Sequence, residues 1–137
     1  MFKGIDHVSI AVENLEEAVA LYVERFGACI KHREFIEKDG VEVATVDIGG
    51  MCIELVEGKR SDSPIRKFVE KRGPGIHHIA FEVDDIEAAL ASLEAASIQL
   101  IDKKPRAGKE GSLVAFVHPA STQKILYEIV QKNPTAR

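Results

Sequence analysis

Long apolar runs are missing from this chain. No stretch reaches signal or membrane length, and Met1-Phe2-Lys3-Gly4 leads directly into a strand pattern, so a cytosolic protein without membrane partners is expected. Cysteine is scarce too. Cys29 and Cys52 each lie in an apolar strand-like run, where they are expected as buried small hydrophobes and not as a disulfide. Neither sign of charge dominates: 18 Lys and Arg stand against 22 Asp and Glu, a net −4 with no basic stripe. The electrostatic footprint of a nucleic-acid partner is therefore lacking. With five prolines and 45% hydrophobic residues in 137, the composition excludes disorder and suits one well-cored domain or two small fused modules.

What the chain does contain is a repetition. His7-Val8-Ser9-Ile10-Ala11-Val12, running into Asn14-Leu15-Glu16, returns as His78-Ile79-Ala80-Phe81-Glu82-Val83, running into Asp85-Ile86-Glu87. The register holds through the next helix, where Leu15, Ala18, Val19 and Ala20 are answered by Ile86, Ala89, Leu90 and Ala91. The copies also close alike, with Met51-Cys52-Ile53-Glu54-Leu55-Val56 against Ile125-Leu126-Tyr127-Glu128-Ile129-Val130. Each copy opens on a strand His and closes on a strand Glu.

The first module, about residues 4–57, reads as βαβββ. A strand over Gly4 to Val12 precedes a helix capped by Asn14 and Glu17 in capping-box spacing and ended at Gly27. Leu15, Val19, Tyr22, Val23 and Phe26 form the apolar stripe of that helix. Strands follow over Ala28 to Phe35, Val41 to Ile48 and Met51 to Glu57, separated by Lys38-Asp39-Gly40 and Gly49-Gly50 turns. The linker, 58–75, holds a short helix from Ser63-Pro64 through Lys71, stopped by Gly73-Pro74-Gly75. The second module, about 76–131, repeats the pattern: a strand Ile76 to Val83, a helix Asp85 to Ala96, and a strand near Gln99 to Asp102. A polar loop from Lys103 to Gly111 precedes strands over Ser112 to His118 and Lys124 to Val130, and the tail after Gln131 is expected to be loose. The fold class is therefore α+β, two tandem βαβββ modules forming a curved mixed sheet within one domain, 1–137.

Strand alternation tests what the repeated polar residues do. His7 shares a face with Ser9 and Ala11, Glu54 with Cys52 and Val56, and His78 with Ala80 and Glu82, while His77 points the other way. Taken singly, a strand His is more often a hydrogen-bonded structural residue than a ligand, and a strand Glu can face solvent on a half-exposed sheet. Taken together, recurrence at matching places of a duplicated unit points to one shared centre. A Glu inside a strand as apolar as Ile-Leu-Tyr-Glu-Ile-Val is costly to bury unless paired or bound to a cation. Two imidazoles and two carboxylates, from His7, Glu54, His78 and Glu128, suit a divalent metal ion such as Zn, Co, Ni or Mn.

Duplicated βαβββ units with His, Glu, His and Glu in these places resemble the vicinal oxygen chelate, or glyoxalase-like, superfamily. More narrowly, the segments DHVSIAVENLEEAVALY, DIGGMCIELVE, SDSPIRKFVEKRGPGIHHIAFEVDDIEAAL, IDKKPRAG and VAFVHP are similar to the methylmalonyl-CoA epimerase family. The resemblance puts the metal ligands at His7, Glu54, His78 and Glu128. It implies interconversion of (2R)- and (2S)-methylmalonyl-CoA, by removal and return of the α-proton through a metal-stabilised enolate. Two carboxylate bases on opposite faces of the carbon are the simplest arrangement, and the candidates are Glu128, a ligand that also exchanges protons, and Glu42. Family members that carry a base on the third strand have it where this chain has Val43, one place after Glu42, and alternation aims Glu42 at the other face unless a bulge re-aims it. The stretch HPASTQKILYE also departs from the epimerase pattern, which often has Lys after His-Pro.

An acyl-CoA substrate needs a place for its phosphates, and Lys103, Lys104, Arg106 and Lys109 crowd the long loop beside Gly108 and Gly111; a solvated charged loop explains the same residues. Two other functions fit the same fold. One is a glyoxalase I-type lyase acting on a glutathione hemithioacetal, which would share the ligand set. The other is a metal-free small-molecule binding protein, against which retention of all four ligands argues. A homodimer is expected from the resemblance alone.

Overall fold

The computed structural model describes residues 1–135, which fall into two compact units. One unit is His7–His77; the other joins Met1–Asp6 to the chain from His78 onward. Among the described residues no helix is long and apolar enough to cross a membrane.

The first unit contains β1 (Gly4–Ala11, its first residues lying in the other unit), α1 (Leu15–Ala20), β2 (Cys29–Ile36), β3 (Val41–Ile48), β4 (Met51–Gly58) and α2 (Pro64–Arg72). Its strands lie in the order β2-β3-β4-β1, with β2, β3 and β4 antiparallel and β4 parallel to β1. The Asn14 side chain accepts the Glu17 N–H at 3.0 Å, which caps α1 as the sequence pattern predicts. One sheet face packs Ala44, Val46 and Leu55 against Leu15 and Val19 of α1. The opposite face packs Ala11, Val41, Val43 and Val56 with Ile65 of α2. Gly40, at φ +63°, turns β2 into β3 with the Arg60 side chain so close that a Cβ there would meet its Nε at 2.6 Å.

Two expectations fail in this unit. After Ala20 the helix widens into a π-helical turn over Leu21–Arg25, and Phe26 ends 55% exposed instead of completing the stripe. A wider turn advances each residue by less than 100°, so positions beyond it rotate off the buried line. Cys29, expected inside, is exposed on the edge strand β2, and Cys52 is half-buried; both are free.

The second unit contains β5 (Gly75–Glu82, entered from the linker), α3 (Ile86–Ala95), β6 (Arg106–Ala107), β7 (Leu113–Val117) and β8 (Tyr127–Gln131), in the order β5-β8-β7-β6. Again the closing strand runs parallel to the opening one. Val83, Ile86, Ala89 and Leu90 pack with Ala115, Val117 and Ile129 between α3 and the sheet. Asp85 caps α3 by accepting the Ala88 N–H at 3.1 Å. The strand expected at Gln99–Asp102 is only a single bridge, Leu100 with Val117. There the Asp102 carboxylate accepts the Phe116 N–H at 2.8 Å, so a side chain takes the place of a ladder carbonyl. β8 starts three residues later than expected because Gln123 and Lys124 both have positive φ, 54° and 70°. In the tail, Asn133 Oδ1 accepts the Thr135 N–H at 3.1 Å; residues 136–137 lie outside the described ones.

Candidate metal centre

Each unit places one His–Glu pair on the sheet face opposite the helix that follows its first strand, α1 in one and α3 in the other. In the first, parallel pairing sets Ser9 beside Glu54 and His7 beside Cys52, so His7 and Glu54 are one step apart on neighbouring strands. His7 Nε2 stands 3.6 Å from Glu54 Oε1, with His7 only 6% exposed. In the second unit β5 pairs with β8 so that Ala80 lies beside Glu128, and His78 Nε2 stands 3.5 Å from Glu128 Oε1. His78 and Glu128 are both buried. His77 points the other way, its ring edge-on to Phe68 at 5.0 Å, as alternation predicts.

The separations fit coordination. Two ligand atoms at about 2.1 Å from one ion, on the edge of a tetrahedron, are roughly 3.4 Å apart. The observed 3.6 and 3.5 Å match that edge and exceed an ordinary N–H···O hydrogen bond. Imidazole nitrogen and carboxylate oxygen are also the donors that divalent transition metals take.

Glu42 lies elsewhere. On β3 it pairs with Phe35 and Glu57, on the face that carries α1, and the β2 register shift between Ile30 and His32 does not turn it. Its carboxylate accepts from Arg33 Nε at 3.0 Å and sits 3.7 Å from Lys59 Nζ. The Arg33 guanidinium also donates to Glu16, and that hydrogen bond holds the Glu16 carboxyl below the usual carboxylate range. The structure thus brings Glu54 and Glu128 each to its histidine and gives Glu42 to a surface ion cluster.

Around the two carboxylates the halves differ, which the sequence pattern did not expose. Glu54 is flanked across the strands by Ser9 and Thr45, whereas Glu128 is flanked by Ala80 and Phe116. The Phe116 ring stands edge-on to His78 at 5.3 Å. Over Phe116 lies the Arg106 guanidinium, 5.7 Å from the ring centroid and tied to Asp102 at 3.1 Å. All four basic loop residues considered for phosphates, Lys103, Lys104, Arg106 and Lys109, are exposed, and Arg106 is tied to Asp102 and Phe116. Thr45 and Phe116 become visible as site neighbours only once strand register is known.

Residues 6–116 match the profile of the Glyoxalase/Bleomycin resistance protein/Dioxygenase superfamily. The chain belongs to this superfamily. Its similarity runs almost end to end with methylmalonyl-CoA epimerases, the family within the superfamily to which it belongs. The mitochondrial methylmalonyl-CoA epimerase of Dictyostelium discoideum is 38% identical over 129 residues, 93% of this chain and 78% of that protein. An ethylmalonyl-CoA/methylmalonyl-CoA epimerase of Cereibacter sphaeroides is 36% identical over 133 residues, 96% and 99% of the two chains. A solved methylmalonyl-CoA epimerase in complex with methylmalonyl-CoA and NH4+ matches at TM-score 0.89 with 32% identity, covering 99% of both chains. The superfamily fold expected from the repeated βαβββ pattern is therefore the fold of this chain, and its relatives are isomerases.

Proposed function

We propose that this chain is a metal-dependent epimerase of methylmalonyl-CoA. The observation that carries the reading is the pair of His–Glu sets, at 3.6 and 3.5 Å and buried except for a half-buried Glu54, on a chain similar over nearly its full length to enzymes of that name. His7, Glu54 and His78 offer donors of metal-holding type, and Glu128 is a fourth. We propose that all four hold one divalent ion, of the Zn, Co, Ni or Mn class. Bound there, the ion would supply positive charge where a thioester oxygen gains electron density as the α-proton leaves.

The chain's own groups carry the remaining work. Burial of His7, His78 and Glu128 keeps water from competing for the acidic carbon's surroundings. Of the two carboxylates considered as bases, we place proton transfer on Glu128. It lies on the His face of its sheet, among apolar Ala80 and Phe116, which favours a carboxylate able to take and return a proton. Glu42, engaged by Arg33 and Lys59, is the comparison residue. A homodimer and a cytosolic setting belong to the same reading, and light scattering tests the first.

The experiment is solvent deuterium exchange into methylmalonyl-CoA, with and without a chelator, run beside turnover of the methylglyoxal–glutathione hemithioacetal. Metal-dependent exchange without hemithioacetal turnover supports the epimerase. The converse result would replace it with a glyoxalase I-type lyase.

A further inference from the structure

Thr45 is the one buried side-chain polar atom without a hydrogen-bond partner among the described residues. Its residue is 6% exposed and lies at the centre of β3, directly across from Glu54 in the antiparallel ladder. Cross-strand partners project to the same face, so the hydroxyl stands on the side that carries Glu54, His7 and Ser9. Its buried neighbours along the strands, Val43 on β3 and Val56 on β4, are apolar, while its cross-strand partners are Glu54 on β4 and His32 on β2.

Packing alone does not account for a hydroxyl there. Valine has nearly the same shape, equal liking for a strand, and no donor to leave unpaired. An unpaired buried hydroxyl weakens the folded chain, and such departures from local consistency concentrate where a ligand is met. The matching place in the second unit argues the same way. There the cross-strand partner of Glu128 is Phe116, an apolar ring packed on His78. The duplicated fold accepts an apolar residue beside its carboxylate, yet the first unit has a donor.

We infer that Thr45 is a specificity-determining residue whose hydroxyl donates to the carboxylate of a 2-substituted malonyl thioester bound on the Glu54 face. The inference rests on the function proposed above and adds to it the group that distinguishes a carboxylated acyl thioester from a plain one. A hydroxyl donating to a carboxylate is charge-assisted, and a site that must satisfy its own buried donor rejects ligands that cannot do so. Thr45 moves no proton of the reaction; it selects and orients.

The test compares T45V and T45S with the unaltered protein, using methylmalonyl-CoA as substrate and propionyl-CoA, which has no free carboxylate, as competitor. For T45V the KM for methylmalonyl-CoA should rise about tenfold or more, with a smaller change in kcat and an unchanged inhibition constant for propionyl-CoA. T45S should restore the KM. In the absence of ligand T45V should melt no lower than the unaltered protein, because no internal hydrogen bond is lost. An unchanged KM in T45V would overturn the inference, as would equal weakening of both acyl-CoAs or a lowered melting point, since these mark a packing or structural role. Should the unaltered protein neither bind nor exchange methylmalonyl-CoA, the epimerase reading itself falls and takes this inference with it.

Discussion

Leu15 donates its backbone N–H to the Glu57 carboxylate at 2.8 Å, tying the first turn of α1 to the end of β4. The second half repeats the device with a different side chain: Ile86 donates to Gln131 at 2.8 Å. Each anchor satisfies a helix N–H that has no partner within its own helix. Each therefore fixes the helix against the strand that carries Glu54 or Glu128, three residues upstream in both copies.

Replacing Glu57 by Ala leaves the Leu15 N–H without that acceptor and removes the carboxylate beside Lys59, which is 3.2 Å away. We expect a loss of about 1–2 kcal/mol, read as a lower urea midpoint at unchanged slope. E57Q should lose less than half of this, because Gln131 shows that an amide oxygen serves the same purpose.

Substitution of the two candidate bases should separate them. E128Q should slow deuterium exchange by about a hundredfold or more, as loss of a general acid–base group does. E42Q should exchange at nearly the original rate and show its effect only in the Arg33 cluster. A slow E42Q beside a fast E128Q would reverse the assignment.

Chelation should abolish exchange, and added Co or Zn should restore it. H7A and H78A should each purify with less metal than the unaltered protein by elemental analysis, and their melting points should respond less to added ion. Full metal content in both variants would remove these histidines from the centre.

The Glu16 carboxyl should titrate below the ordinary carboxylate range in an NMR pH series, and return to it in R33Q. Because its folded value is depressed, its contribution to stability is present above the ordinary carboxylate value. That contribution disappears as pH falls through the depressed one. Since Glu16 is a surface group, the effect on stability should shrink further in high salt.

The duplication, the βαβββ order, the helix cap at Asn14, and the choice of His78 over His77 were all legible in the chain. These follow from local rules: period-two alternation, capping geometry and repeat alignment each operate within a few residues. Misjudged positions have causes that are not local in that sense. Phe26 leaves the apolar stripe because a π-helical turn changes the angular step. Cys29 is exposed because β2 is an edge strand, and edge or centre is a property of the sheet's order. The strand expected near Gln99 is displaced where the Asp102 carboxylate accepts the backbone N–H of Phe116, on a strand fourteen residues further along.

By itself, the sequence determined which residue types are available as ligands and on which strand faces they stand, because a strand's alternation depends only on its own residues. Tertiary structure alone decided who stands beside them: Thr45 and Ser9 against Glu54, Phe116 and Ala80 against Glu128, and Arg33 with Lys59 around Glu42. Those neighbours come from strand pairing, where one residue of slip changes every partner, and no property of a single strand specifies its pairing register.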